Sequence, residues 1–209
     1  MEELDAEQVR VLGCLLEKER TVPDSYPMTL NSLVTACNQS TNRTPVVSYD
    51  GGTVQRTLDD LKDRGLVRFV HPSHGERTTK FRQVIDERLA LLPTEAAVLS
   101  ALFVRGPQTV NEIRTRTDRL HAFDSPEEVV ATLRGLAERD EPLARALERQ
   151  PGEREGRWTH TFAQADLASA VVAPAAPSPS RSALEDRMAA LEAKVEHLYS
   201  VLGEQPPTL

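Results

Sequence analysis

The sequence predicts a mainly α-helical protein with small β-wings, built from two winged-helix domains in tandem and a C-terminal coiled-coil helix. Three observations predict this fold class: a helix–strand–turn–strand pattern over residues 49–84, a second copy of the first-half pattern, and a heptad pattern near the end. The predicted divisions are a first winged-helix domain at 1–88, a second at 89–172, a Pro/Ala/Ser linker at 173–180 and a coiled-coil helix at 181–203.

The first domain is organised around a predicted helix over residues 49–64. Its apolar residues recur at helical spacing on one face: Val54, Leu58 and Leu61. Gly65 follows the last turn, where a left-handed cap favours glycine. Gly51 and Gly52 stand near the start of the helix in place of better helix formers, which favours a start later than residue 49. In a winged helix this segment is the recognition helix.

Strands and two further helices complete the predicted first domain. Strand-like runs at 66–70 and 78–84 flank a turn, so the segment from Pro72 to Arg77 is the predicted wing. Upstream, Asp5 is a predicted N-cap and Thr29 opens a second helix. This gives the three helices and the hairpin of a winged helix.

Three helical motifs of the first domain recur in the same order in the second. The pairs are Val11-Leu12-x-x-Leu15 with Val98-Leu99-x-x-Leu102, Thr29-Leu30-Asn31-Ser32-Leu33 with Thr109-Val110-Asn111-Glu112-Ile113, and Val54-x-x-Thr57-Leu58 with Val129-x-x-Thr132-Leu133. Amphipathic helices resemble one another, but the ordered triplet favours a true repeat. The second copy is therefore expected to end in strands near 143–150 and 157–162.

The final segment carries apolar residues at alternating steps of four and three residues, the spacing of a coiled-coil seam. The predicted dimerisation residues are Leu184, Met188, Leu191, Val195, Leu198 and Leu202. In a parallel pair, Arg187 of one chain faces Glu192 of the other. A helix docked on its own domain would show the same period, so this alternative stays open. We expect a homodimer.

Composition limits the function classes. The net charge is −7 and no predicted segment is basic as a whole, which weighs against tight non-specific binding to nucleic acid. Aromatic residues make up 4% of the chain, too few for a base-stacking surface. Cys14 and Cys37 are expected to be buried reduced thiols in a cytoplasmic protein. No run approaches the ~20 apolar residues of a membrane span, so no membrane association is expected.

The sequence contains no signature of an enzyme, such as a phosphate-binding loop, a dinucleotide fingerprint or a nucleophile elbow. His71 and His74 lie three residues apart in the predicted wing, without further metal ligands nearby in sequence. We interpret them as wing residues. The prediction is a protein without catalytic activity, cofactor or metal.

Polar residues around the predicted recognition helix and wing are the candidate binding set for DNA or a protein partner. They are Asn38, Gln39, Asn42, Arg43, Thr53, Gln55, Arg56, Arg77, Lys80 and Arg82. Residues of these types contact phosphates and base edges, and Arg43 and Arg56 are expected to be exposed beside Lys80 and Arg82. The amides before the helix have a structural alternative, in which they cap helix ends and bind loop backbone.

Several stretches resemble the YceH-like family of bacterial proteins. They are Glu17-Lys18-Glu19-x-Thr21-x-Pro23-Asp24-x-Tyr26-Pro27, Cys37-Asn38-Gln39-x-x-Asn42-Arg43-x-Pro45-Val46 and Arg105-Gly106-Pro107-Gln108-Thr109, followed by Arg119-Leu120 and Phe123. The resemblance covers residues 1–165. It implies tandem winged helices in a bacterial cytosolic protein and no established activity.

Two functions follow from these observations. The first is a dimeric, transcription-regulator-like protein that binds double-stranded DNA through the predicted recognition helix and wing. The alternative is a protein–protein interaction module built from acidic tandem winged helices, with no direct DNA contact. Carboxylates on the recognition helix, at Asp59, Asp60 and Asp63, repel phosphate and favour the alternative.

Overall fold

The chain folds mainly into α-helices, as the apolar periodicity predicts. The computed structural model describes residues 3–71, 78–149 and 152–163. Within these ranges lie seven α-helices: α1 (Ala6–Thr21), α2 (Leu30–Cys37), α3 (Gly51–Asp63), α4 (Ile85–Leu89), α5 (Pro93–Arg105), α6 (Val110–Thr117) and α7 (Pro126–Ala137). A short 3-10 helix at Pro23–Ser25 follows α1.

Two small antiparallel sheets accompany the helices. Their strands are β1 (Met28–Thr29), β2 (Val67–Val70), β3 (Lys80–Gln83), β4 (Ala144–Ala146) and β5 (Trp158–His160). In the first sheet β3 lies between β1 and β2, and Val67 is opposite Gln83. In the second sheet β4 pairs with β5, and Ala144 is opposite His160. The predicted combination of helices with small β-hairpins is therefore present.

The elements follow the same order in the two halves of the described chain. The first half runs through α1, α2, α3 and the β2–β3 hairpin, and the second through α5, α6, α7 and the β4–β5 hairpin. Gln108, just before α6, forms a bridge with Trp158 on β5, much as β1 before α2 pairs with β3. Thr29 and Thr109 each cap the following helix through the side-chain oxygen. The helix and hairpin order that the repeat predicts is confirmed.

Helices α1 and α5 pack together at the centre of the fold. Residues 8–16 of α1 and 95–104 of α5 are buried. The two helices meet at small residues, where the Ser100 Oγ lies 3.5 Å from the carbonyl oxygen of Gly13. A Cβ atom on Gly13 would lie 2.6 Å from the Cβ of Phe103, so the close approach requires glycine. One continuous apolar cluster therefore includes residues of both halves.

Local capping explains where several helices begin and end. The predicted N-cap Asp5 is confirmed, since its carboxylate accepts a hydrogen bond from the Gln8 N–H at 2.7 Å. Gly65 has the predicted positive φ, at 68°. The central helix, predicted at 49–64, begins at Gly51, which is later than residue 49 but before the second glycine. Asp50 accepts from the Thr53 N–H at 2.6 Å, and this N-cap stabilises a start at Gly51.

The two cysteines are buried and free, as predicted. Helix α4 was not predicted from the sequence, because its five residues are too few for a helical period to stand out. No helix in the described ranges has the length and apolar character needed to cross a membrane.

Some predictions concern residues outside the described ranges. These are most of the first wing, at 72–77, together with the linker at 173–180 and the coiled-coil helix at 181–203. The six predicted dimerisation residues and Arg77 lie in these parts.

Candidate functional site

The exposed side of α3 is the core of the candidate site. Its other side is buried by Val54, Leu58 and Leu61, as the spacing predicts. The carboxylate of Asp50 binds the N–H of Thr53, and this hydrogen bond holds the pKa of Asp50 below its usual range. The first turn of α3 is thus fixed by a charged cap, and the burial of the apolar side leaves the polar residues toward solvent.

Three of the predicted binding residues lie along the first two turns of α3. Arg56 is exposed and its Nη2 donates to the Thr53 Oγ1 at 3.3 Å. The side-chain amide of Gln55 donates to the carboxylate of Asp59 at 3.2 Å. Both contacts are exposed hydrogen bonds within one helix, which a partner can replace at small cost.

Carboxylates dominate the rest of this exposed side. Asp59, Asp60 and Asp63 are all exposed, and none of them forms an ion pair with another described residue. The neighbouring ammonium group of Lys62 lies over the ring of Phe69, 4.7 Å from its centroid. The exposed side of α3 therefore presents more negative than positive charge.

The outward face of the first sheet carries two more arginines, and they share one carboxylate. Arg68 and Arg82 are opposite each other on β2 and β3. Glu87 of α4 binds both, at 3.4 Å from Arg68 and 2.7 Å from Arg82. Surface ion pairs of this kind contribute at most about 1 kcal/mol, but they reduce the charge that the arginines offer to phosphate. Lys80 is half-buried on the same strand as Arg82.

Asn38 supports the structural alternative for the amides before α3. Its side chain donates to the carbonyl of Tyr49 and accepts from the Tyr49 N–H, both at 2.8 Å. The end of α2 is thereby fixed to the start of α3. Gln39 is half-buried beside it. Asn38 thus positions α3, since both of its hydrogen-bonding groups are already engaged.

Asn42 lies at a strained backbone position between the two halves. Its φ is 61°, in the left-handed region that asparagine tolerates better than most residues. Its side-chain oxygen accepts a hydrogen bond from Arg105 at the end of α5. Asn42 therefore joins the segment before α3 to the second half of the chain.

The expectation that Arg43 is exposed is wrong. Its side chain is fully buried, with Nη2 2.6 Å from a carboxylate oxygen of Glu17. Its remaining N–H groups donate to the backbone carbonyls of Ala36 and Asn42, both at 2.9 Å. A guanidinium enclosed in this way stabilises the loop after α2 and is not accessible to DNA. This loop has no periodic pattern of apolar residues from which burial could be predicted.

Comparison with known proteins identifies the family. The family described as "Protein of unknown function, DUF480" matches residues 4–153. The chain belongs to the DUF480 family. A UPF0502 protein of Geobacter sulfurreducens is 44% identical over 194 residues, which cover 91% of this chain and 88% of that protein. A UPF0502 protein of Solibacter usitatus is 45% identical over 196 residues, covering 94% and 93%.

The DUF480 match begins before α1 and ends after β4, so it includes the helices of both halves. Sequence reasoning missed two carboxylates within this match, Glu17 and Glu87, which bind the predicted arginines. Glu87 could not have been found from a local pattern, because it lies on α4, which the sequence did not predict. Glu17 could not be found either, because it is distant from Arg43 in the sequence. No group of three or more metal-binding side chains occurs in the described part of the chain.

Proposed function

We propose that the two halves are tandem winged helices and that the exposed side of α3 binds a partner protein. The repeated order of three helices and a hairpin supports the winged-helix assignment. In this arrangement α3 is the recognition helix and the hairpin loop beyond β2 is the wing. The proposal includes no catalytic role.

The negative charge on the exposed side of α3 is the main reason for proposing a protein partner. This side has three carboxylates that form no ion pair with any described residue, at Asp59, Asp60 and Asp63. A DNA-reading helix instead gains affinity from cations at phosphates. Arg43 is buried, and Arg68 and Arg82 are paired with Glu87. Two of the five cations predicted for this surface, Arg43 and Arg82, thus already have a carboxylate partner. A partner with basic side chains is complementary to this surface.

One observation favours DNA as the second candidate. Thr53, Gln55 and Arg56 lie in the first two turns of α3, and the N-terminal residues of a recognition helix are those that contact base edges. Within the described ranges, the Arg56 side chain has one weak hydrogen bond, at 3.3 Å, so it is available to a guanine.

Site-specific photocrosslinking distinguishes the two candidates. A benzophenone amino acid placed at Asp59 should give a discrete protein adduct in cells of the source bacterium. The matched control places the same group at Ala131, which is exposed on α7. The adduct should disappear when Asp60 and Asp63 are changed to Asn, because the complementary charge is lost. Adducts with DNA at position 59, or equal protein adducts at both positions, would contradict the proposal.

We also propose that the protein is a cytoplasmic homodimer formed by the heptad segment 181–203. The alternating apolar period of that segment supports this assembly. Deletion of residues 181–209 should convert the dimer into a monomer whose circular dichroism loses only the signal of the deleted helix. Sedimentation velocity and circular dichroism measure both properties, and an unchanged dimer would place the interface elsewhere.

A further inference from the structure

A cleft with excess positive charge lies between α1, the segment 38–43, α5 and α6. Its volume is about 210 Å³. Its charged lining consists of five cations and one carboxylate: Lys18, Arg43, Arg105, Arg116, Arg119 and Glu17. Because the whole chain has a net charge of −7, the charge of this cleft is opposite in sign to that of the protein.

The single lining carboxylate is already engaged. One oxygen of Glu17 lies 2.6 Å from Arg43 and the other lies 3.4 Å from the ammonium group of Lys18. Arg43 also binds two backbone carbonyls and is enclosed. Glu17 therefore pairs with Arg43 and Lys18, and among the described residues it forms no ion pair with the arginines of α5 and α6.

The arginines of α5 and α6 are compensated unequally. Arg116 pairs with Glu112 at 3.1 Å and donates to the Gln108 side chain at 2.9 Å. Arg105 donates to the side chain of Asn42, a neutral group. Among the described residues, neither Arg105 nor Arg119 has a carboxylate within ion-pair distance.

Crowding of these positive charges is itself unfavourable. Burial, followed by repulsion from Arg116, lowers the pKa of Arg105. Glu17 and Glu112 offset part of the repulsion on Arg105, and a bound anion would offset more of it and stabilise the fold. The two halves of the chain together form this arrangement, since Lys18 belongs to the first half and Arg105 to the second.

The dimensions and donors of the cleft fit a small anion. Its volume is below the roughly 300–1,000 Å³ of sites for drug-sized molecules. The planar fork of a guanidinium matches the oxygens of phosphate. The hydroxyl group of Thr41 and the amide of Gln39 also line the cleft and add neutral donors. No residue of α3 contributes to the lining.

We propose that this cleft binds a small phosphate-bearing anion, with Arg105 and Arg119 as its main contacts. Arg116 and Lys18 lie around the same space and add positive charge. This site is separate from the exposed side of α3, so it can exist whichever macromolecule α3 binds. The bound anion would bridge the two halves of the chain.

Isothermal titration calorimetry of the full chain with inorganic pyrophosphate, in a buffer low in chloride, tests the proposal. Wild-type protein should bind pyrophosphate, and Arg119→Gln and Arg105→Gln should each weaken binding about tenfold through loss of a charged hydrogen bond. Arg134→Gln is the matched control, because Arg134 is exposed on α7 and does not line the cleft. The Arg134→Gln variant should bind pyrophosphate as tightly as the wild-type protein.

Further measurements identify the kind of phosphate compound that binds and allow for a variant that does not fold. Arg119 is exposed, so Arg119→Gln should fold even if Arg105→Gln does not. Adenosine diphosphate that binds more tightly than pyrophosphate indicates a nucleotide, and equal affinity indicates that phosphate groups alone are recognised. The proposal is overturned if neither compound binds, if Arg134→Gln weakens binding as much as Arg119→Gln, or if duplex DNA displaces pyrophosphate.

Discussion

The two halves of the molecule share an order of elements but use it differently. In the first half the hairpin belongs to a three-stranded sheet, and α3 begins with a charged cap, Asp50. In the second half the sheet has two strands, and α7 begins with Ser125 and Pro126. The central helices α1 and α5 differ least, since each is buried along most of its length. The shared core thus constrains the first helix of each half, while the third helix is free to differ at the surface.

The contact between the halves has the character of a two-fold interface. Gly13 and Ser100 are 87 residues apart, the same offset as the repeated Val-Leu motifs, and they touch each other. In an interface between equivalent surfaces, matching residues meet near the axis. The two halves therefore meet at equivalent positions of α1 and α5.

The largest expected effect concerns two arginines of the first half. Arg43→Ala should lower the free energy of unfolding by about 3 kcal/mol, because it leaves Glu17 without its buried partner. Arg56→Ala, at an exposed position, should change it by no more than about 0.5 kcal/mol. Urea denaturation of both variants measures the difference. Equal stabilities would mean that the Arg43 side chain is not enclosed.

A second prediction compares the same register position in the two hairpins. Gln83 and His160 are both buried, but the Gln83 amide is hydrogen-bonded to Glu19 at 2.5 Å, whereas the Nδ1 of His160 has no partner among the described residues. Burial, with the nearby charge of Arg145, lowers the pKa of His160 to about 4. The unfolded chain, with an ordinary histidine pKa of about 6.5, therefore binds the proton more tightly than the folded chain.

The sign of the pH effect follows from this depressed pKa. The contribution of His160 to stability is complete above pH of about 6.5 and is lost as the pH falls toward 4. Between pH 7 and pH 5 we expect His160 to lower the free energy of unfolding by about 2 kcal/mol. His160→Gln should remove that part of the pH dependence in urea denaturation. An unchanged slope would mean that the imidazole reaches solvent.

A third prediction compares a glycine in each half. Gly13→Ala should destabilise the protein by about 1–2 kcal/mol, because its methyl group would meet Phe103 and Val104. Gly135→Ala in α7 should stabilise it by up to about 1 kcal/mol, since the nearest atom to its new methyl group is 3.9 Å away. Thermal denaturation measures whether each substitution raises or lowers the stability. Stabilisation by both substitutions would indicate that α1 and α5 are not closely packed.

The fold was more predictable than the site, for physical reasons. The apolar periodicity predicted the helices, and the recurrence of the motifs in order predicted the second half. Burial imposes both patterns on the sequence. The start of α3 depended on one cap, at Asp50, which outweighed the low helix propensity of Gly51. The burial of Arg43 depended on Glu17, a partner on another helix, and no local pattern encodes such a contact.

The central claim is that the exposed side of α3 binds a protein and not DNA. The most direct test is fluorescence anisotropy with a mixed-sequence duplex over a series of salt concentrations, using wild-type protein and Arg56→Ala. We expect binding no tighter than the roughly 10⁻⁴–10⁻⁶ M of non-specific complexes at physiological salt, with the same salt slope for both proteins. Tight binding by the wild type, with a slope that falls by about 0.9 in Arg56→Ala, would contradict the claim.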